Sequence, residues 1–547
     1  HLQRRDYILN IETLKERAQV IAREHGSVVR GVSRSSITGD IKRCSTKLVQ
    51  CYKAIDEDMK SRFGMVPAAE WLVENFYIIE EHMKDIQYNL YSGYFKDLPV
   101  LSEEPLKGIL RSLAIARELV YFTNGRFDEE IIYTFLDEYQ KTTPLTMAEL
   151  WSIPLMVKIV LIHIIEDMAM DIVSTQKLKR KAYSWGNKLL DAYEKSPAQL
   201  ARVLEQHDSL FDYIPSAYAE ALLRLLQDYG PEAAPIIKHI DKQLLDQGSS
   251  ADIIIEQEYK RQTEAKVAMG NAITSLKFIT EMKWETIFEE LSMVDKILQK
   301  DPAGIYSQMD FESRDYYRRE VAKLAKRGDV GELDVADMVL KCIEEGDGQL
   351  QGDIRYSHVG YYIVGKGRTV LEERIGLRTK RESRRANIYM GGIVCTAAIL
   401  IGLFLYLAGV LTESFPLVAI LYIALALIPI ATLVIGICNW LITYIYPPSI
   451  LPRLELKDGI PEQFRTMVII PTLLTSEERV DELVEQMEVF YLANREERLH
   501  FALVGDFKDG ENEHEPSDAS IVEAGIRAVK ELNGKYGESI FFYFHRY

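Results

Sequence analysis

Two short stretches near the C-terminal end hold the residues best suited to binding chemistry. Leu499–Phe507 (LHFALVGDF) reads as a strand that delivers Asp506 to its carboxyl end. Met467–Leu474 (MVIIPTLL) reads as a β-rich apolar run whose strand ends at Pro471, with Pro471-Thr472 forming the turn after it. A carboxylate at such an edge accepts hydrogen bonds from a base N–H or a ribose hydroxyl, and a Pro-Thr turn offers a backbone against which a flat base can lie. An aspartate that merely caps its own turn gives the same pattern, since many α/β domains end a strand this way.

The elements around these residues fix where they can act. Ser476–Ala493 is an amphipathic helix with Ser476 as its cap and acidic residues in its first turn. Ala519–Tyr536 is a second helix and Ile540–Phe544 a third strand, after the turn residues Lys508-Asp509-Gly510. The order β-α-β-α-β opens a parallel, doubly wound sheet, in which ligands bind beyond the carboxyl ends of the strands. No G-x-G-x-x-G follows the first strand and no G-x-x-x-x-G-K-[ST] is present, against a dinucleotide fold and a P-loop hydrolase respectively.

Upstream, Ile388–Leu411 and Phe415–Tyr446 carry no Lys, Arg, Asp or Glu, and only Thr412, Glu413 and Ser414 divide them. Each is long enough for the ~20 apolar residues of a membrane-spanning helix, and the pair reads as a transmembrane α-hairpin over 386–447. Arg374, Arg378, Lys380, Arg381, Arg384 and Arg385 precede it, Arg453 and Lys457 follow it, and the loop has no basic residue. By the positive-inside rule both flanking regions are cytoplasmic. A net charge of −17 argues against nucleic acid as a partner. The five cysteines are scattered: Cys44 and Cys51 stand one heptad apart, and no cysteine pair has metal-ligand spacing. The runs hold no ionisable residue that would give an ion path, which counts against a transporter.

Residues 1–385 read as an all-α cytoplasmic region. Leu72, Phe76, Ile79, Met83, Ile86 and Leu90 form an apolar stripe on one long helix that Pro67 opens. Leu106–Phe122 and Phe127–Tyr139 are two further helices, and Trp151–Ile165 is a core helix too short to span a bilayer. Amphipathic helices continue over Asp167–Gly270, punctuated at Pro215, Gly230-Pro231 and Gly248, and Met309–Arg327 opens on Asp310 as cap. His82 and His163 fall within helices and read as packed or surface histidines. Tyr316-Tyr317 and Tyr361-Tyr362 read as helix-packing or membrane-interface residues. No catalytic constellation emerges here, and by its residues alone this half is a scaffold or docking region.

Several stretches closely resemble the cyclic β-1,2-glucan synthases of bacteria. They include VPAAEWLVENFYIIEEHMKDI (Val66–Ile86), GYFKDLPVL (Gly93–Leu101), TNGRFDEE (Thr123–Glu130) and PLTMAELWSIPLMVKIVLI (Pro144–Ile162). Met309–Ala325, His358–Arg368, Pro452–Val480 and Tyr491–Asp509 complete the set in family order, whereas Gln176–Gln308 is less distinctive. The resemblance implies a processive, inverting glycosyltransferase of the bacterial inner membrane that elongates a β-1,2-glucan from UDP-glucose with a divalent metal, Mg²⁺. It makes 448–547 the start of a GT-A-type domain, with cyclisation and phosphorylase-like domains expected later in the same chain. It assigns Pro471, Thr472 and Asp506 to the donor nucleotide. The D-x-D metal motif, the general base and the Q-x-x-R-W motif are expected after Tyr547; Asp506 and Asp509 flank two residues, so they form no D-x-D. No catalytic or metal residue is therefore assigned in this sequence, which is expected to be an inactive N-terminal fragment. The competing class is a membrane-anchored helical scaffold whose α/β part has no chemistry, and UDP-glucose binding separates the two.

Overall fold

In the computed structural model, the described residues are 11–26, 28–30, 35–60, 66–91, 98–346, 354–377, 390–400, 402, 403, 406, 416–445, 450–510, 515–537 and 539–546. They fall into two compact units, 1–298 with 321–337, and 299–320 with 338–547.

The first unit is a helical array. Its apolar stripe from Leu72 to Leu90 is buried throughout, but on two helices, Pro67–Glu74 and Phe76–Tyr91, rather than one. Asn75 makes the break: its backbone leaves the helical region and its side-chain amide donates to the Trp71 carbonyl at 2.9 Å. The helix expected from Leu106 begins only at Arg111, because Leu110 pairs with Val100 in a β-bridge. This region is also not wholly α. Strand β1 (Val28–Arg30) pairs antiparallel with β2 (Pro99–Leu101), and three-residue strands are too short to leave a period in the sequence.

Trp151–Ile165 lies inside a 49-residue helix, Met147–Lys195. Among the described residues it has the length and apolarity to cross a membrane, yet 67% of its most apolar window is buried inside the protein. It is a core helix. Thr146 and Glu149 form a capping box at its start, and Glu149 also takes a bidentate ion pair from Arg111 (Nε–Oε1 2.6 Å, Nη2–Oε2 2.5 Å). Both side chains are almost fully enclosed, at 5% and 0% exposure. Glu332 accepts from the Met147 N–H at 2.9 Å, so a second carboxylate caps the same helix.

In the second unit, β3 (Thr466–Leu474), β4 (Leu499–Phe507) and β5 (Phe541–Arg546) form a parallel sheet in the order β3-β4-β5. The helices Glu477–Ala493 and Asp518–Tyr536 connect them, with Ser476 accepting from the Arg479 N–H as the expected cap. Both helices bury their apolar faces against Leu474, Phe501, Leu503 and Phe541 on one face of the sheet. The opposite face carries Met467, Ile469, Leu473 and Phe544, each at least 40% exposed.

The segment leading into β3 is pinned to the N-terminus of the helix Phe311–Gly328. Met309 and Leu454 form a β-bridge, Arg453 N–H donates to Ser313 Oγ at 2.9 Å, and the Arg453 guanidinium pairs with Asp310 and Glu312. Asp310 caps that helix as its sequence position suggests, accepting from the Ser313 N–H at 2.9 Å. Nearby, Asp301 accepts from His358 Nδ1 at 2.8 Å and from the backbone of Ile305, Tyr306 and Val359, while His358 Nε2 meets Tyr317 Oη at 3.3 Å. Tyr317 and Tyr362 are buried, as expected of helix-packing residues. The two uncharged runs contain the helices Met390–Leu400 and Pro416–Ile445. The expected loop at Thr412–Ser414 and the basic residues Arg378, Lys380, Arg381, Arg384 and Arg385 lie outside the described residues.

Removing one partner of a buried ion pair strands the other, so Arg111→Met is expected to cost about 3–5 kcal/mol, read as a lowered urea midpoint. The matched double variant Arg111→Met/Glu149→Met should recover much of that loss. Glu332 yields a pH prediction. Burial pushes its carboxyl up to about 7, with the Glu149 charge adding to the rise and the Met147 N–H opposing it. The folded state therefore holds a proton that the unfolded chain has released, and stability falls as pH rises from about 4.5 to about 7. Glu332→Gln keeps the acceptor and should flatten the melting temperature across that window.

Candidate functional site

Side chains alternate along a strand, and the register of this sheet sorts the three expected site residues. Pro471 is level with Val504, Thr472 with Gly505, and Leu473 with Asp506. Strand β3 runs on to Leu474, so Pro471 and Thr472 lie within the ladder rather than in a turn after it. Apolar Leu473 and Leu474 continue the strand, and Pro471 is tolerated because β3 has a single neighbour among the described strands. Pro471 and Asp506 share the face that the crossover helices leave open, whereas Thr472 belongs to the helix-covered face. The fold thus brings two of the three side chains together and turns the third away.

Asp506 stands one residue before the end of β4, the strand flanked on both sides, with 40% of its side chain exposed. Its Oδ1 accepts from the Phe507 N–H at 3.0 Å, and its Oδ2 pairs with Arg546 Nη2 at 2.8 Å from the level position on β5. Arg546 is 81% exposed, and a pair so open to water is worth only about 0–1 kcal/mol. A ligand that offers an N–H or hydroxyl to Asp506 can therefore displace the guanidinium cheaply. Its flat face has the exposed strip of Pro471 and Leu473 to lie on.

Gly505, His545 and Arg546 escaped the sequence reading. A Cβ at Gly505 would come to 2.4 Å from Leu474 Cδ1 and 3.0 Å from His545 Nδ1, so the strand before Asp506 is packed to the backbone. The signal was there in V-G-D, since a glycine inside a strand marks close approach. His545 stacks edge-on against Phe507, ring centroids 4.1 Å apart, next to the aspartate. Burial lowers its pKa, while Asp506 and Asp518 pull the other way. The arrangement presents an acceptor, an exchangeable cation and an apolar strip. It does not present a metal site: among the described residues no three Asp, Glu, His or Cys ligands converge at this edge. These residues therefore do not fit a divalent ion.

Gly505→Ala must displace buried Leu474 or His545, and overpacking of this kind costs about 1–3 kcal/mol. The expected readout is a lowered melting temperature with tyrosine fluorescence of the sheet perturbed, while Gly534→Ala, on the exposed side of the helix Asp518–Tyr536 with nothing within 4 Å of an added Cβ, lowers neither.

No family model matches the chain. Comparison with curated proteins finds the cyclic beta-(1,2)-glucan synthase NdvB of Rhizobium meliloti (strain 1021), 27% identical over 557 aligned positions. The alignment covers 99% of this chain and 19% of that protein, so the chain spans about one fifth of the length of its relative. Aligned along nearly its whole length, the chain is similar to a cyclic β-(1,2)-glucan synthase, as its motifs lead one to expect.

Proposed function

We propose that this chain is the N-terminal part of a membrane-bound, processive, inverting glucosyltransferase that builds cyclic β-1,2-glucan from UDP-glucose. The observation that carries the reading is the alignment over 99% of the chain with a cyclic β-(1,2)-glucan synthase. The parallel sheet supports it with an acidic strand end of the kind that holds nucleotides. In this reading the sheet is the first part of a GT-A-type donor domain. Asp506 accepts from the base or ribose of UDP-glucose, Arg546 yields to the ligand, and Pro471 gives the base a surface; Thr472 contributes through its backbone. A divalent metal, Mg²⁺, is proposed for the full-length enzyme, and the residues at this strand edge do not hold it.

The membrane assignment rests on the two uncharged runs and on the helices found in them. Leu425, Ile428, Trp440 and Tyr444 of the helix Pro416–Ile445 are 67–84% exposed, surface that lipid covers at no cost in water contact. The basic residues that flank the runs in the sequence support a cytoplasmic side for both long regions. The bilayer, the growing glucan, and cyclisation and phosphorylase-like domains of the same polypeptide are the partners this reading requires.

A hydrogen bond to a charged acceptor is worth about 1.5–3 kcal/mol, so Asp506→Ala in the full-length enzyme should weaken UDP-glucose binding roughly 10–100-fold. Incorporation of labelled glucose into membrane glucan should fall with it, while Asp509→Ala leaves both intact. Full synthesis by the Asp506→Ala enzyme would remove the donor-site assignment.

A further inference from the structure

Away from the sheet, three side chains of different chemistry converge in the helical unit. Cys44 stands on the helix Ser35–Lys60, and His163 and Glu166 are one turn apart on the core helix Met147–Lys195. One ligand atom from each lies within 4.8 Å of the other two. His163 Nδ1 and Glu166 Oε2 are 3.4 Å apart. A tetrahedral zinc ion with Zn–N and Zn–O bonds of roughly 2.0–2.1 Å holds such a pair about 3.3 Å apart, so this edge of the polyhedron is already formed. The Cys44 side chain must close in by roughly 1 Å to give a Zn–S bond of about 2.3 Å.

Glu166 supplies the negative charge of the cluster. Glu166 is nearly enclosed, at 9% side-chain exposure, and uses its two oxygens differently: Oε1 meets Lys47 Nζ at 3.1 Å while Oε2 faces His163. Without an ion, burial keeps the Cys44 thiol protonated and hydrogen-bonded to Glu166. His163 is 38% exposed, which leaves a path from solvent and room for water as the fourth ligand.

We propose that Cys44, His163 and Glu166 form a zinc-class metal site that ties the Ser35–Lys60 helix to the core helix. Binding exchanges the Cys44 thiol proton for the ion: one S–H bond breaks, one metal–sulfur bond forms, and one proton passes to solvent. A thiolate with an imidazole favours Zn²⁺ or Co²⁺ over Mg²⁺ or Ca²⁺, and the site is independent of the donor-nucleotide reading.

The test is a Co²⁺ titration of the full chain after chelator treatment, followed by thiolate-to-cobalt charge-transfer absorption. The expected result is one equivalent of band, displaced by Zn²⁺ but not by Mg²⁺. Cys44→Ser should abolish it, Cys51→Ser should keep it, and His163→Ala, a partly exposed position, should weaken Co²⁺ at least roughly 10-fold. Absence of the band in the unaltered chain would overturn the proposal. So would its survival in Cys44→Ser, or an unchanged Co²⁺ affinity in His163→Ala with helicity intact.

Discussion

A β-strand shows only every second side chain to a given face, and this constraint governs what the sheet of the second unit can do. Leu474, Phe501, Leu503 and Phe541 are committed to the crossover helices. Their strand neighbours, from Met467 to Phe544, are committed to the other side. Asp506 can cooperate with Pro471 and Leu473 because the register makes them faces of one surface, and Thr472 cannot join them by its side chain. Sequence adjacency suggested a Pro-Thr unit; the pleat separates its two members.

The helical unit rests on buried charge. Glu149 closes a capping box, receives Arg111 and so links the start of the core helix to the helix Arg111–Phe122. A buried pair of this sort is weak evidence of net stability, but it admits few alternative packings, because any slip leaves a charge without a partner. Asp301 plays a comparable part in the second unit, where three backbone N–H groups and His358 converge on one carboxylate. Arg453 and Asp310 join stretches far apart in sequence that both carry the resemblance to the glucan synthases.

Local signals proved the readable part of the sequence. Ser476 and Asp310 cap where their positions say, Leu499–Phe507 is a strand over its whole expected length, and the stripe from Leu72 to Leu90 is buried residue for residue. What stayed hidden depends on tertiary partners. The Asn75 break keeps the apolar period intact, so the pattern alone cannot reveal it. The pairing of Val28–Arg30 with Pro99–Leu101 and the ladder that carries β3 past Pro471 are settled by the neighbouring strand. Arg546 reached the candidate site, and Cys44 reached His163, only through the fold.

Parallel sheets are as a rule covered on both faces, and here the side bearing Met467, Ile469, Leu473 and Phe544 is open. The consequence is a thermodynamic linkage. Any layer that binds the folded sheet and not the separate strands raises the stability of the sheet by mass action. Assembly on that face and folding of the sheet are then one equilibrium, and the melting temperature of the sheet becomes a gauge of how fully the face is occupied.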